Sequence, residues 1–240
     1  MKTPDYSYRI FPLGDCAVTI DFVNQFDDYL NEYVITRFTE LQRNPIEGIT
    51  EIVPAFSSLT FFYDLAKLKK IASGCTAFEW VKQKIEDRLE YKTSITTPEI
   101  KNIIRIPVCY DNEFAPDMQS LQASKNINKE EVITLHTNRI YKVYMLGFLP
   151  GFPYLGEVDQ KIEMPRKNKP VNVAAGSVGI AGRQTGIYPL DSPGGWQIIG
   201  RTPLKLFDAE KKEPTLLKAG DNIEFYAISM HEFMEIMHYG

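Results

Sequence analysis

The segment Gly147-Phe-Leu-Pro-Gly-Phe-Pro-Tyr-Leu-Gly156 opens a stretch, ending near Pro203, in which glycine and proline recur every few residues among aromatic residues and short apolar runs. Glycine and proline end helices and favour tight turns, so this residue pattern indicates short strands joined by turns. No helix of ordinary length fits between residues 147 and 201. The stretch therefore predicts a closed or nearly closed β-barrel.

Short strands and helices flank this stretch on both sides. Their type follows from the spacing of apolar residues, which alternate in strands and recur every three or four residues in helices. The sequence predicts strands at residues 103–110, 141–145 and 222–228, helices at 118–123 and 129–135, and a short amphipathic tail at 231–237.

The N-terminal part of the chain has the pattern of an α+β domain. Predicted strands at residues 8–11 and 17–22 flank the turn Pro12-Leu-Gly-Asp15, as in a hairpin. The order of elements predicts a sandwich of two helices on one antiparallel sheet. The other predicted elements are strands at 49–53 and 58–63 and helices at 27–41 and 76–89.

A polar segment separates the two halves. Residues 90–101 lack periodicity and contain Pro98, which is typical of a linker. We therefore predict two domains, at residues 1–95 and 96–240.

Composition argues against several classes of protein. The net charge of −4, from 27 basic and 31 acidic residues, argues against nucleic-acid binding, which normally needs a basic face. The three cysteines are far apart, so neither a disulfide framework nor a zinc site is predicted. Residues 1–15 lack the apolar core of a signal peptide, and no apolar stretch reaches the roughly 20 residues that span a bilayer. We expect a cytoplasmic protein with no protein-bound metal site.

The segment Ala175-Gly-Ser-Val-Gly-Ile-Ala-Gly-Arg-Gln-Thr-Gly186 is rich in glycine. Its glycines permit close approach of a ligand to the backbone and could aim amides at an anion. The alternative is that β-turns and bulges require them. The segment is not a phosphate-binding loop, because Arg183 and Gln184 follow the third glycine where that motif needs Lys and Ser or Thr.

Three arginines, Arg166, Arg183 and Arg201, fall within the same motif-rich region. A guanidinium can donate two parallel hydrogen bonds to a carboxylate or a phosphate. Any one of these arginines alone would be interpreted as a surface residue, but the three together predict an anion site. His136 precedes these motifs and is a candidate general base, with a structural role as its alternative. Ser177 lies in Gly-Ser-Val-Gly and not in a nucleophile elbow, so no catalytic triad is predicted.

Several long motifs in one order carry a family resemblance. They are Gly147-Phe-Leu-Pro-Gly-Phe-Pro-Tyr-Leu155, Pro165-Arg166, Ala175-Gly-Ser-Val-Gly-Ile-Ala-Gly182, Gln184-Thr-Gly-Ile-Tyr-Pro189, Ser192-Pro-Gly-Gly-Trp196 and Ile199-Gly-Arg-Thr-Pro203. The chain resembles the 5-oxoprolinase B-subunit family, also called KipI-like or allophanate hydrolase subunit 1.

The resemblance implies a ferredoxin-like α+β N-terminal domain and a mainly-β, cyclophilin-like barrel as the C-terminal domain. It implies two partner chains, one of the KipA-like (allophanate hydrolase subunit 2) type and one of the LamB/YcsF type. The implied reaction opens 5-oxo-L-proline to L-glutamate with ATP as co-substrate, and the sequence leaves open whether magnesium accompanies the nucleotide.

The resemblance also suggests roles for individual residues. Arg166 and Arg201 would hold the substrate carboxylate or the transferred phosphoryl group on one concave face, and His136 would carry a proton. One departure weakens this site, since Val171 follows Pro170 where the family commonly has a second arginine. The expected substrate- or nucleotide-binding residues are Gly176, Ser177, Gln184, Thr185, Tyr188, Gly194 and Trp196.

Other functions remain open at this point. The same family includes an inhibitor of a sensor histidine kinase, which acts by binding the kinase and not by catalysis. A peptidyl-prolyl isomerase would follow from the barrel by fold analogy alone. A subunit of a urea- or allophanate-processing enzyme would follow from the family name.

Overall fold

The computed structural model describes residues 6–22, 28–89 and 103–239, and the chain divides into two compact units, Met1–Glu99 and Ile100–Gly240. Each unit encloses its own cluster of buried apolar side chains. The predicted linker at 90–101 and the boundary at residue 95 lie outside the described residues. Within the three described ranges, no helix is both long enough and apolar enough to cross a membrane.

An antiparallel sheet organises the described part of the N-terminal unit. Its strands are β1 (Arg9–Pro12), β2 (Ala17–Asp21), β3 (Ile49–Pro54) and β4 (Ser58–Tyr63). Their order in the sheet is β1-β2-β4-β3, and β1 and β2 form the predicted hairpin. Buried and half-buried residues alternate along β4, as expected for a strand with one face on a core.

Helices α1 (Asp28–Arg43), α2 (Leu65–Ile71) and α3 (Ala77–Leu89) accompany this sheet. Helices α1 and α3 confirm the two predicted ones. Thr76 and Glu79 start α3 with a capping box, in which each side chain accepts from the other's backbone amide. The sequence prediction missed α2, because seven residues are too few to show a helical period and the helix depends on its Asp64 cap.

The strands of the C-terminal unit are short, as the recurring glycine and proline residues predict. They are β5 (Ile103–Cys109), β6 (Ile140–Leu146), β7 (Pro153–Glu157), β8 (Val171–Val173), β9 (Ser177–Ala181), β10 (Gln184–Ile187), β11 (Ser192–Gly194), β12 (Gln197–Arg201) and β13 (Asn222–Ile228).

Seven of these strands form a closed barrel, in the order β10-β7-β6-β13-β5-β12-β9. The barrel is thus confirmed, but β5, β6 and β13 lie outside the glycine- and proline-rich stretch. Strands β5 and β13 run parallel, and the other paired neighbours in the barrel run antiparallel. Strands β8 and β11 pair with each other outside the barrel.

Helices α4 (Met118–Lys125), α5 (Lys129–Thr137) and α6 (Met230–Tyr239) lie close to their predicted positions. The structure describes every residue between 147 and 201, and the only helical segment there is one 3-10 turn, Gln160–Ile162.

Candidate functional site

A cleft of about 190 Å³ opens beside β8 and β12 in the C-terminal unit. Its lining combines charged, hydroxyl and apolar side chains that come from separate parts of the chain. Those that bear on its chemistry are Glu113, Phe114, Lys167, Val171, Ser177 and Arg201. A site of this size suits a small molecule better than a large cofactor.

Arg201 ends β12 with its guanidinium at the cleft. Its Nε donates to the carbonyl oxygen of Ala175 at 2.8 Å, and its Cζ lies 5.5 Å from the centre of the Phe114 ring. Among the residues that the structure describes, its two terminal nitrogens have no hydrogen-bond or ion-pair partner. The guanidinium therefore presents a fixed fork of unused donors, which suits a carboxylate.

Ser177 is the cross-strand neighbour of Arg201. The two residues face each other in the pairing of β9 with β12, which puts their side chains on the same face of the sheet. Ser177 is 5% exposed and lines the cleft. Its Oγ makes no hydrogen bond with any described residue, so a nearly buried hydroxyl is left to a ligand.

Lys167 supplies a second cation that the sequence reasoning missed. Its Nζ lies 2.6 Å from Oδ2 of Asp117, and both side chains are largely buried, with 18% and 17% of their surface exposed. Val171, which stands where the resemblance leads one to expect an arginine, also lines the cleft. A lysine from the segment before β8 thus brings a positive charge to a cleft from which that arginine is missing.

Arg166 does not line the cleft with Arg201, contrary to the prediction of one concave face formed by both arginines. It is exposed, and its Cζ lies 5.9 Å from the centre of the Trp196 ring. The side chains of the consecutive residues Arg166 and Lys167 thus have different environments, and only the tertiary structure reveals which of the two lines the cleft.

A cluster of aromatic rings adjoins the cleft. The Phe152 ring packs edge-on against Tyr188 and Trp196, with ring centres 5.2 and 5.3 Å apart. Val173 and Ile198 belong both to this cluster and to the cleft lining. The predicted residues Tyr188 and Trp196 therefore support a wall of the cleft but do not line it.

The Tyr188 side chain occupies the space beside Gly194. A Cβ added at Gly194 would lie close against the Tyr188 ring, 2.7 Å from its Cζ, so this position requires glycine. Burial raises the pKa of Tyr188, and the backbone amide of Trp196 and the charge of Arg166 partly oppose that rise. Gly194 thus serves packing at the cleft wall.

His136 and Thr185 lie together inside the barrel, away from the cleft lining. Both are 0% exposed. The His136 Nδ1 lies 2.7 Å from the Tyr110 hydroxyl, and its Nε2 lies 3.0 Å from Thr185 Oγ1, which itself donates to the carbonyl oxygen of Gly179. Since the Thr185 proton is used in that way, Nε2 must donate to Thr185 and Nδ1 must accept from Tyr110.

Burial keeps this imidazole neutral. It lowers the pKa of His136 from 6.5 to about 3, and the nearby charge of Arg139 acts in the same direction. A ring with both nitrogens engaged, and stacked on Phe225 at 4.6 Å between ring centres, has no free position for a substrate proton. The geometry favours the structural role for His136.

The amides of Gly176 and Ser177, in the glycine-rich segment, already have hydrogen-bond partners within the fold. Gly176 N donates to the carbonyl of Tyr188, and Ser177 N donates to that of Ala174. Neither is therefore left for the anion that the sequence suggested. Gln184 begins β10 and pairs with β9 and β7, and it does not line the cleft.

Gly176 is expected to be indispensable for the shape of the cleft. Its φ is +81°, and an added Cβ would overlap the carbonyl oxygen of Thr202, the residue after Arg201. Gly176→Ala should lower the free energy of unfolding by about 3 kcal/mol, through the left-handed backbone and the overlap with a carbonyl group. Urea unfolding would measure this loss.

Gly182 provides the matched control for that experiment. Its φ is +59°, but a Cβ there would meet no atom within 4 Å. Gly182→Ala should therefore cost only the backbone contribution, about 1 kcal/mol. Equal losses in the two variants would contradict the steric explanation.

Comparison with known proteins gives the family. Residues 8–217 match the family described as carboxyltransferase domain, subdomain C and D, so the chain contains this class of domain. It is 44% identical over 234 residues to the 5-oxoprolinase B-subunit of Bacillus subtilis strain 168, covering 94% of this chain and 95% of that protein. The chain belongs to the 5-oxoprolinase B-subunit family, as the sequence resemblance suggested.

Two further comparisons agree with this assignment. The 5-oxoprolinase B-subunit of Haemophilus influenzae is 39% identical over 181 residues, covering 75% of this chain and 79% of that protein. The crystal structure of TTHA0988 superimposes with a TM-score of 0.75 at 31% identity and covers 89% of this chain. The match takes in 40% of the TTHA0988 chain, so this chain corresponds to less than half of that protein.

Proposed function

We propose that this chain is one subunit of an ATP-dependent 5-oxoprolinase, which opens 5-oxo-L-proline to L-glutamate with hydrolysis of ATP. The family membership supports the reaction. The observation that carries the assignment of the site is the cross-strand pair of Arg201 and Ser177, whose unused donors both face one small cleft.

The cleft chemistry fits the two parts of 5-oxo-L-proline. The Arg201 fork would take the carboxylate through two parallel hydrogen bonds, and the Ser177 hydroxyl would donate a third. The apolar side chains of Phe114 and Val171 would contact the ring methylenes. Binding of this kind orients the lactam for chemistry supplied elsewhere in the complex.

The reaction needs activation that this cleft does not provide by itself. An unactivated five-membered lactam is a poor electrophile, and transfer of a phosphoryl group to its amide oxygen would supply both a leaving group and driving force. We assign no proton transfer to His136, because the barrel interior encloses it. We propose that the KipA-like and LamB/YcsF-type partner chains complete the catalytic site.

Magnesium would accompany the ATP of this reaction. Among the residues described by the structure, no three His, Cys, Asp or Glu side chains lie close enough together to hold a metal ion. Magnesium is usually bound through one or two carboxylates, water and the phosphates of the nucleotide, so we assign it no ligand in this cleft.

Two further expectations belong to the same proposal. The sheet order β1-β2-β4-β3 supports a ferredoxin-like arrangement in which the first strand of the chain takes the edge position usually held by the last. The closed barrel supports a cyclophilin-like C-terminal domain. We also propose that the complex works in the cytoplasm.

Reconstitution tests the proposed function directly. The chain would be co-expressed with the two partner chains, and glutamate released from 5-oxo-L-proline would be measured with and without ATP. We expect release only when all three chains and ATP are present. A mixture that consumes ATP but releases no glutamate would refute the substrate, and full activity without this chain would refute its role.

A further inference from the structure

Asp117 occupies the N-cap position of α4, but its carboxylate does not cap that helix. Its Oδ2 instead accepts from the backbone amide of Ile198 at 2.6 Å and from Nζ of Lys167 at 2.6 Å. An N-cap carboxylate normally bonds to amides of the first helical turn and stabilises the helix by about 1 kcal/mol. The Asp117 carboxylate does not make that contact and instead links α4 to the segments that contain Ile198 and Lys167.

The backbone of Asp117 fixes the position of this carboxylate. Asp117 N donates to the carbonyl oxygen of Ile198 at 3.0 Å, so the two residues are joined by a pair of reciprocal hydrogen bonds. This bridge meets β12 at its bulge, between Ile198 and Gly200, and Arg201 ends the same strand. Asp117 is therefore held beside β12, the strand that carries Arg201.

Lys167 is held at both ends. Its backbone amide donates to the carbonyl oxygen of Gly195 at 2.7 Å, and its ammonium meets Asp117. Fixing a free lysine side chain costs about 2 kcal/mol of rotamer entropy. Because the Lys167 side chain is already ordered in the folded protein, ligand binding does not lose that entropy. The ammonium has three N–H donors, and with Asp117 as its one partner among the described residues it can still donate to a ligand.

We propose that Lys167 is a second substrate-binding cation of the cleft and that Asp117 is the residue that positions it. The proposal rests on the proposed function for the identity of the ligand, 5-oxo-L-proline. Arg201 and Lys167 bring two cations to the cleft, while Asp117 pairs with Lys167 and the exposed carboxylate of Glu113 also lines the cleft. A small monocarboxylic acid bound there would be approached by one cation from β12 and by another from the segment before β8.

A double-mutant cycle on the whole complex tests the proposal. Lys167→Met and Asp117→Asn should each raise KM for 5-oxo-L-proline about tenfold, with kcat changed less than about twofold, because they affect binding and not the reacting atoms. The double variant should be no worse than Lys167→Met alone, since Asp117 acts through Lys167. It also removes both buried charges, so it should fold even if a single variant leaves one charge unpaired.

Controls and a second measurement keep the outcomes separate. Glu213→Gln and Lys218→Met alter an exposed ion pair of 2.8 Å in the same unit and should leave KM unchanged. Binding of 5-oxo-L-proline to the isolated subunit would be followed by NMR through the Ile198 amide, and Lys167→Met should weaken it about tenfold.

Three results would overturn the proposal. They are an unchanged KM in Lys167→Met, losses that add in the double variant, and no binding of 5-oxo-L-proline by either the unchanged subunit or the complex. If the unchanged complex releases no glutamate while the isolated subunit still binds 5-oxo-L-proline in a Lys167-dependent way, the proposed function falls and the assignment of Lys167 stands.

Discussion

Replacing Arg201 by alanine is expected to lower kcat/KM of the reconstituted complex for 5-oxo-L-proline about a thousandfold. Truncating one partner of a hydrogen-bonded charge pair in a binding site typically costs about 2–5 kcal/mol, and about 4 kcal/mol corresponds to that factor. The fold should persist, because the one intramolecular hydrogen bond lost, to the carbonyl of Ala175, contributes about 1 kcal/mol. Steady-state kinetics and a thermal melt would measure the two effects separately.

Two further variants define what Arg201 contributes. Arg201→Lys keeps the charge but not the planar fork, so it should recover only a small part of the loss. Arg105→Ala removes an exposed arginine of the same barrel, paired with Glu224 at 3.3 Å, and should behave as the unchanged protein. Full activity in Arg201→Ala, or full rescue by lysine, would refute carboxylate recognition by the fork.

Acidification from pH 6.5 towards pH 3 is expected to destabilise the C-terminal unit through His136 alone by up to about 5 kcal/mol. Its pKa is about 3 in the folded protein and 6.5 in the unfolded chain, and one pKa unit corresponds to about 1.4 kcal/mol. Between these values the unfolded chain binds the proton and the folded one does not. The free energy of unfolding therefore falls as the pH falls, and this contribution is complete above pH 6.5.

The measurement would use Trp196 fluorescence during urea unfolding, in a Trp80→Phe background so that only the C-terminal unit reports. His136→Gln retains a donor and an acceptor but does not titrate, so its stability should depend less steeply on pH. The starting stability of this variant does not matter, because only the slopes are compared.

NMR provides an independent check without mutation. The ring nitrogens of His136 should keep the pattern of a neutral imidazole protonated on Nε2 from about pH 8 down to about pH 4.5, well above the folded-state pKa of about 3. A protonation of His136 near its ordinary pKa in the folded protein, or equal slopes in the two proteins, would show that the buried network does not hold the ring neutral.

Much of the fold could be predicted because local signals were strong. The turn at Pro12-Leu-Gly-Asp15 and the helical spacing of the apolar residues between 76 and 89 are local signals, so the elements that they mark were predicted nearly to the residue. Helix α2 escaped prediction because it is short and depends on one cap. The predicted barrel domain at 96–240 includes β5, β6 and β13, but the order in which the strands pair could not be predicted, because pairing between distant strands leaves no mark in the spacing of residues.

The candidate site was predicted less completely. The sequence drew attention to Ser177 and Arg201, and the structure places them side by side at the cleft. It also drew attention to His136 and Thr185, which form a buried pair inside the barrel. Residue type alone cannot distinguish a catalytic histidine from a core histidine, since both need hydrogen-bonding partners that only the fold supplies.

The sequence by itself determined the family and the barrel pattern and drew attention to Arg201, because glycine, proline and periodic apolar residues act locally and the motifs can be read in order. Only the tertiary structure decided that Lys167 and not Arg166 joins Arg201 at the cleft, and that Asp117 holds it there. The physical reason is that Asp117, Lys167 and Arg201 lie far apart in the chain, and backbone hydrogen bonds hold the segments of Asp117 and Lys167 beside β12 and the turn before it.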